Sequence, residues 1–172
     1  MHWEIEFLNL IQEIHNSFLD NVMCFITHLG DSGFIWIILA IILLFKRNTR
    51  KVGIIVLVAL ILELILCNGI LKNIFARIRP SDINTSIKLL VERPNDYSFP
   101  SGHTASSFAT VTALLLCKMK KVGKIALLLA ILIAFSRIYL YVHYPTDILC
   151  GIVVGLICGY VSKICLDRYK FN

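Results

Sequence analysis

The sequence predicts an all-α fold, a polytopic bundle of transmembrane helices. Three observations lead there. Of 172 residues, 58% are hydrophobic and only 16% are charged, far from the balance of an ordinary soluble domain. Several uninterrupted apolar runs approach the roughly 20 residues that a spanning helix needs. These runs follow one another too closely for soluble domains to fold between them, so 1–172 is expected to form a single integral-membrane domain.

In chain order, the segment 3–29 repeats apolar residues at helical spacing, from Trp3, Phe7 and Leu10 to Phe25, Ile26 and Leu29. Glu4, Glu6, Glu13 and Asp20 interrupt it, which makes it a poor spanner. One or two amphipathic helices along the membrane face are expected, ending at Gly30-Asp31-Ser32-Gly33. The N-terminus has no basic stretch ahead of an apolar core, so no cleaved signal peptide is expected.

About five spans follow, near 34–45, 52–71, 105–117, 125–141 and 148–164. The first is short and must borrow from the preceding turn or cross a thinned bilayer. Glu63 sits midway along the second, where a neutral, hydrogen-bonded structural role is expected. The six cysteines lie in or beside apolar stretches with no Cys-x-x-Cys pair, and read as small packing residues.

Charge orients the bundle. Lys46, Arg47, Arg50 and Lys51 follow the first span; Lys118, Lys120, Lys121 and Lys124 follow the third; Lys163, Arg168 and Lys170 follow the fifth. These eleven of seventeen basic residues belong on the cytoplasmic side, which turns the loops 72–101 and 141–147 outward. The net charge of +6 is therefore juxtamembrane anchoring and not a nucleic-acid footprint.

Three stretches on the outward side carry more chemistry than packing requires. In Lys72-Asn-Ile-Phe-Ala-Arg77-Ile-Arg79-Pro80, a continuing helix would bring Lys72 and Arg79 within about 20° of one face and turn Arg77 elsewhere. In Phe99-Pro100-Ser101-Gly102-His103, Ser101 is a good N-cap for the third span. The free N–H groups behind it form an anion site that Gly102 lets a phosphate approach, with His103 beside it. In Ser136-Arg137-x5-His143-x3-Asp147, a permanent cation, an imidazole and a carboxylate meet at an interfacial loop. A neutral His can attack phosphorus, a carboxylate can hold its tautomer, and Arg can clamp phosphoryl oxygens. Taken singly these are ordinary helix ends, but their shared face matches the positioning and charge neutralisation that phosphoryl transfer demands.

Together the three stretches resemble the signature of the type 2 phosphatidic acid phosphatase superfamily, membrane lipid phosphatases related to vanadium haloperoxidases. Lys72 to Arg79-Pro80 fits Lys-x6-Arg-Pro, Pro100 to His103 fits Pro-Ser-Gly-His, and Ser136 to Asp147 fits Ser-Arg-x5-His-x3-Asp; the likeness covers about 18–165. It implies that His143 is the nucleophile that forms a phosphohistidine, that Asp147 supports its ring, and that His103 protonates the leaving oxygen. Lys72, Arg79, Arg137, Ser101 and the Gly102 amide would hold the phosphoryl oxygens. No metal or other cofactor is implied, because the cations do the neutralising and no acidic cluster is present to hold Mg2+.

The expected function is thus an outward-facing lipid phosphatase in the cell membrane. The brief N-terminus and small outer loop resemble the carrier-lipid recycling members, which points to undecaprenyl diphosphate, its second phosphate within reach of Arg93 or Lys88. Phosphatidylglycerophosphate, phosphatidate and a lipid A phosphate are the alternative substrates. A non-catalytic lipid-phosphate binder or transporter would not need both histidines, and a haloperoxidase would not need so apolar a bundle.

Overall fold

The structure, a computed structural model, describes residues 2–168; Lys170, counted above among the cytoplasmic basic residues, lies outside them. Among the described residues every regular element is helical.

The amphipathic N-terminal segment forms two helices, α1 (His2–Gln12) and α2 (Ser17–Leu29). Two of its four acids have partners inside the bundle: Glu4 is buried against Arg77, and Asp20 accepts the Tyr139 hydroxyl at 2.7 Å, while Glu6 and Glu13 are exposed. Asn16 caps α2 by accepting the Leu19 N–H at 3.0 Å. At Gly30 the chain breaks into a single 3-10 turn, Asp31–Gly33, in which Ser32 (φ 51°) and Gly33 (φ 70°) are both left-handed. The next helix, α3 (Phe34–Phe45), restarts at 47° to α2. As a pair the two are long and apolar enough to cross a membrane. The short helix expected as the first span thus follows α2 directly across this bend. On α2 the bundle supplies partners for Asp20 and Thr27, which meet Tyr139 and Arg137.

The next stretch begins as α4 (Arg50–Glu63), passes into a π-helix over Leu64–Leu71 and ends as α5 (Lys72–Phe75). Ala76 is left-handed (φ 42°) and stops the helix, and Arg79 (φ −71°, ψ 152°) is extended, as a residue before proline must be. Pro80 then opens the short α6 (Pro80–Ile83). The expectation of one continuing helix carrying Lys72 and Arg79 in register is thus corrected: the two sit on opposite sides of a break. Glu63 is buried, and its Oε1 has no hydrogen-bond partner among the described residues.

At the centre runs α7 (Gly102–Leu116), capped by Ser101. It is only 15 residues long, and its small and polar residues, including Ala105, Ser106, Ser107 and Thr110, are buried by neighbours, so it need not match a lipid thickness by itself. Around it pack α4, α8 (Lys120–Tyr139) and α9 (Pro145–Asp167). Gly151, Gly155 and Gly159 form a bare stripe along α9. A Cβ on Gly155 would lie 2.5 Å from the Ala105 carbonyl oxygen, and one on Gly159 2.6 Å from that of Ala109. The two backbones are nearly in contact, the close packing that small residues permit between membrane helices. Lys51 pairs with Asp167 at 3.2 Å, which brings the basic ends of α4 and α9 together at the pole away from the loop at 141–144.

Candidate active site

At the other pole a cavity of about 1300 Å³ opens among α2, α4, α7, α8 and the loop 84–101. Lys72, Arg79, Gly102, His103, Arg137 and His143 all line it, and Ile37, Leu57, Leu60 and Ile61 form an apolar side. Each polar residue arrives from a different local device. The π-helix inserts extra residue per turn and so sets the register at which Lys72 reaches the wall, where it is 7% exposed. The break at Ala76 swings Arg79 back to the same place.

Both cations converge on Asp96, a residue that motif spacing did not single out. Lys72 Nζ pairs with its Oδ2, and Arg79 Nη2 donates to Oδ1 at 2.5 Å. Partial burial alone would push this carboxyl up, but Lys72 and Arg79 beside it outweigh burial and hold it at about 2.

His143 is 2% exposed and sits between Arg79 and Asp147. Arg79 Nη1 lies 3.2 Å from Nε2 and also donates to the Val142 carbonyl at 2.6 Å. Arginine can only donate, so Nε2 bears the lone pair and Nδ1 the proton. Nδ1 faces Asp147 Oδ2 at 3.4 Å and Ser98 Oγ at 3.5 Å. Burial first, then the charges of Arg79, Arg137 and Lys72, hold the imidazole well below its ordinary pKa, so it is neutral at neutral pH with its lone pair on the cavity side.

Asp147 is itself tightly held. Its Oδ2 accepts from Ser98 Oγ at 2.5 Å and from the Tyr144 N–H at 2.8 Å, capping α9. Its Oδ1 accepts from Arg77 at 2.5 Å. Arg77, which helical periodicity had turned away, also binds Glu4 at 2.6 Å and Thr146 at 2.7 Å and lies over the Tyr144 ring. It ties the N-terminal helix to the carboxylate behind His143.

The remaining expected residues divide. Arg137 is buried, donates to Thr27 Oγ1 at 2.5 Å, and leaves Nε without a partner among the described residues. His103, in the first turn of α7, places Nε2 2.8 Å from Asp31 Oδ1. Ser101 lies behind the wall, its Oγ accepting from Thr104 Oγ1 at 3.0 Å, while Gly102 reaches the lining. Lys88 is not among the lining residues, and Arg93, which is, pairs with Asp82 at 2.9 Å. Asp31, Ser98, Asp96, Arg77 and Glu4 were missed. Of these only Asp31 and Arg77 carried a signal, one inside a Gly-Asp-Ser-Gly break and the other within the first motif.

Chemically, a neutral imidazole nitrogen beside three cations, with a second imidazole across the cavity, is arranged to receive and attack a phosphoryl group.

The model of the PAP2 superfamily matches residues 52–170. The chain is 31% identical over 161 residues to an undecaprenyl-diphosphatase of Sulfolobus acidocaldarius, covering 93% of this chain and 77% of that protein. Among solved structures, LpxE of Aquifex aeolicus superposes with a TM-score of 0.81 at 32% identity, covering 94% of this chain and 95% of that one. A PAP2 type phosphatidylglycerolphosphate phosphatase of Bacillus subtilis gives 0.79 at 30% identity, covering 98% and 87%.

Proposed function

The chain belongs to the PAP2 superfamily of membrane lipid phosphatases, and from that premise we propose that it removes the terminal phosphate of undecaprenyl diphosphate at the outer face of the cell membrane. The observation that carries the reaction is the position of His143, whose Nε2 lone pair opens on the cavity beside Arg79 while Asp147 stands behind Nδ1.

An incoming phosphoryl group competes with Asp96 for Lys72 and Arg79, and takes up the unpartnered Arg137 Nε and the Gly102 amide. When a phosphoryl oxygen takes over the Arg79 N–H, Nε2 is released. Its lone pair forms the N–P bond as the P–O bond to the leaving group breaks; the leaving oxygen keeps those electrons and takes a proton from His103. Asp147 stabilises the charge that grows on the His143 ring. A water then attacks phosphorus and passes its proton to His103, and the P–N electrons return to His143. The residues present supply the charge neutralisation themselves, and the apolar wall near Leu57, Leu60 and Ile61 suits an isoprenoid tail. The Sulfolobus relative, an undecaprenyl-diphosphatase by name, supports the choice of undecaprenyl diphosphate.

The test is phosphate release by purified protein in EDTA, across undecaprenyl diphosphate, phosphatidylglycerophosphate, phosphatidate and a lipid A phosphate. Undecaprenyl diphosphate should give the highest kcat/KM, orthovanadate should inhibit, and His143→Ala should lose at least about a hundredfold, since the nucleophile itself is removed. Strict dependence on added Mg2+, or a His143→Ala variant that keeps more than about a hundredth of the activity, overturns the mechanism. A tenfold preference for another lipid, about 1.4 kcal/mol in transition-state binding, overturns the substrate alone.

A further inference from the structure

The turn between α2 and α3 is built against His103 in more ways than a helix break requires. His103 Nε2 lies 2.8 Å from Asp31 Oδ1, and Asp31 Oδ2 lies 2.8 Å from His28 Nδ1, so both carboxylate oxygens are engaged. A Cβ on Gly30 would come within 2.9 Å of His103 Cδ2, so the imidazole rests on bare backbone that no other residue could offer without a shift. Ser32 and Gly33, both left-handed, break the helical course directly after Asp31. One turn earlier on α2, Thr27 accepts the Arg137 guanidinium at 2.5 Å, and Thr27, Asp31, His103 and Arg137 all line the cavity. The α2–α3 break is thus a wall of the site.

We propose that Asp31 is the positioning residue of His103: it accepts a hydrogen bond from the Nε2–H, fixes the tautomer and ring plane, and leaves Nδ1 as the atom that exchanges a proton with the substrate. The inference rests on the acid role proposed above for His103. A carboxylate accepts only, so Nε2 must carry its proton while the pair exists. The proton that the leaving oxygen needs as its bond to phosphorus breaks therefore comes from Nδ1, and Asp31 stabilises the imidazolium that precedes the transfer. His28 engages the far oxygen at 2.8 Å, so the carboxylate has an imidazole on each side. Asp31 pairs with His28 and His103 and not with His143, and a carboxylate repels phosphoryl oxygens, so its effect scales with how badly the leaving group needs a proton.

The experiment compares kcat/KM for phenyl phosphate and 4-nitrophenyl phosphate on the same preparation, because the ratio does not depend on the fraction of protein that is folded. Both substrates share a shape, but phenolate is the more basic leaving group. Asp31→Asn should lower kcat/KM for phenyl phosphate at least about tenfold more than for 4-nitrophenyl phosphate, within the range that general acid catalysis contributes. In a His103→Ala background the same substitution should leave the ratio unchanged, as expected of a residue that acts through another. An equal loss on both substrates would make Asp31 a structural residue only, and no loss would make it dispensable; either result overturns the proposal. Failure of the wild type on both substrates and on the lipids, or full activity of His143→Ala, would instead overturn the phosphatase mechanism and is read separately.

Discussion

At Asp96 two cations outweigh the cost of burying a carboxylate, and the balance has a sign that can be checked. The folded pKa of about 2 lies below the free value of 3.8, so the folded state favours the ionised form. The stability contributed is present in full above about pH 4 and is lost as pH falls through about 2. Asp96→Asn should therefore lower the melting temperature in detergent at neutral pH and flatten the loss between about pH 4 and 2, because the substituted side chain no longer titrates. A variant whose melting temperature falls in parallel with the wild type across that window would show that Lys72 and Arg79 do not set the Asp96 titration. Residue spacing announced the two cations but not this anion, because Asp96 lies seventeen residues beyond Arg79 in an irregular loop whose path no periodicity describes. Arg77 was lost for the opposite reason: a helical projection was applied where the left-handed Ala76 ends the helix.

Among the elements, the α7–α9 pair holds the two histidines in register, since α7 starts one residue before His103 and α9 starts two residues after His143. That pairing depends on the glycine stripe. Gly155→Ala puts a methyl group 2.5 Å from the Ala105 carbonyl oxygen, where backbone cannot yield cheaply. Overpacking of this kind costs about 1–3 kcal/mol, which for a chain of this size is roughly 2–12 °C in melting temperature. Gly69→Ala is the control, because its nearest contact would be an ordinary 4.0 Å. Equal melting temperatures for the two variants, measured in the same detergent, would show that the helices have room to part. The stripe was open to view in the sequence as Gly151, Gly155 and Gly159, four residues apart, but its partner helix was not.

For the whole molecule, the basic clusters and the cavity lie at opposite poles: the Lys51–Asp167 pair joins two of the clusters, while the cavity is ringed by the loop 84–101 and His143. This polarity supports an outward-facing site under the positive-inside rule. A single cysteine at position 84, in place of Asn84 in a cysteine-free background, should react with an impermeant maleimide in intact cells. One at position 48, in place of Asn48, should react only after the membrane is opened. The reverse pattern would invert the topology and put the site in the cytoplasm.

By itself the sequence determined the helical membrane class, the poles of charge, and the motif residues Lys72, Arg79, Gly102, His103, Arg137, His143 and Asp147, because each follows from a local rule: apolar length, charge count, cap chemistry, fixed spacing. Only the tertiary structure decided that α3 restarts at 47° to α2, that Ser101 sits behind the cavity wall, and that Asp31, Asp96, Ser98 and Arg77 pair with the motif residues. These are pairings between side chains up to about seventy residues apart. A buried charge requires some partner, but which one it finds depends on how the helices pack, and a helix's own period shows its packing face without naming the helix that meets it.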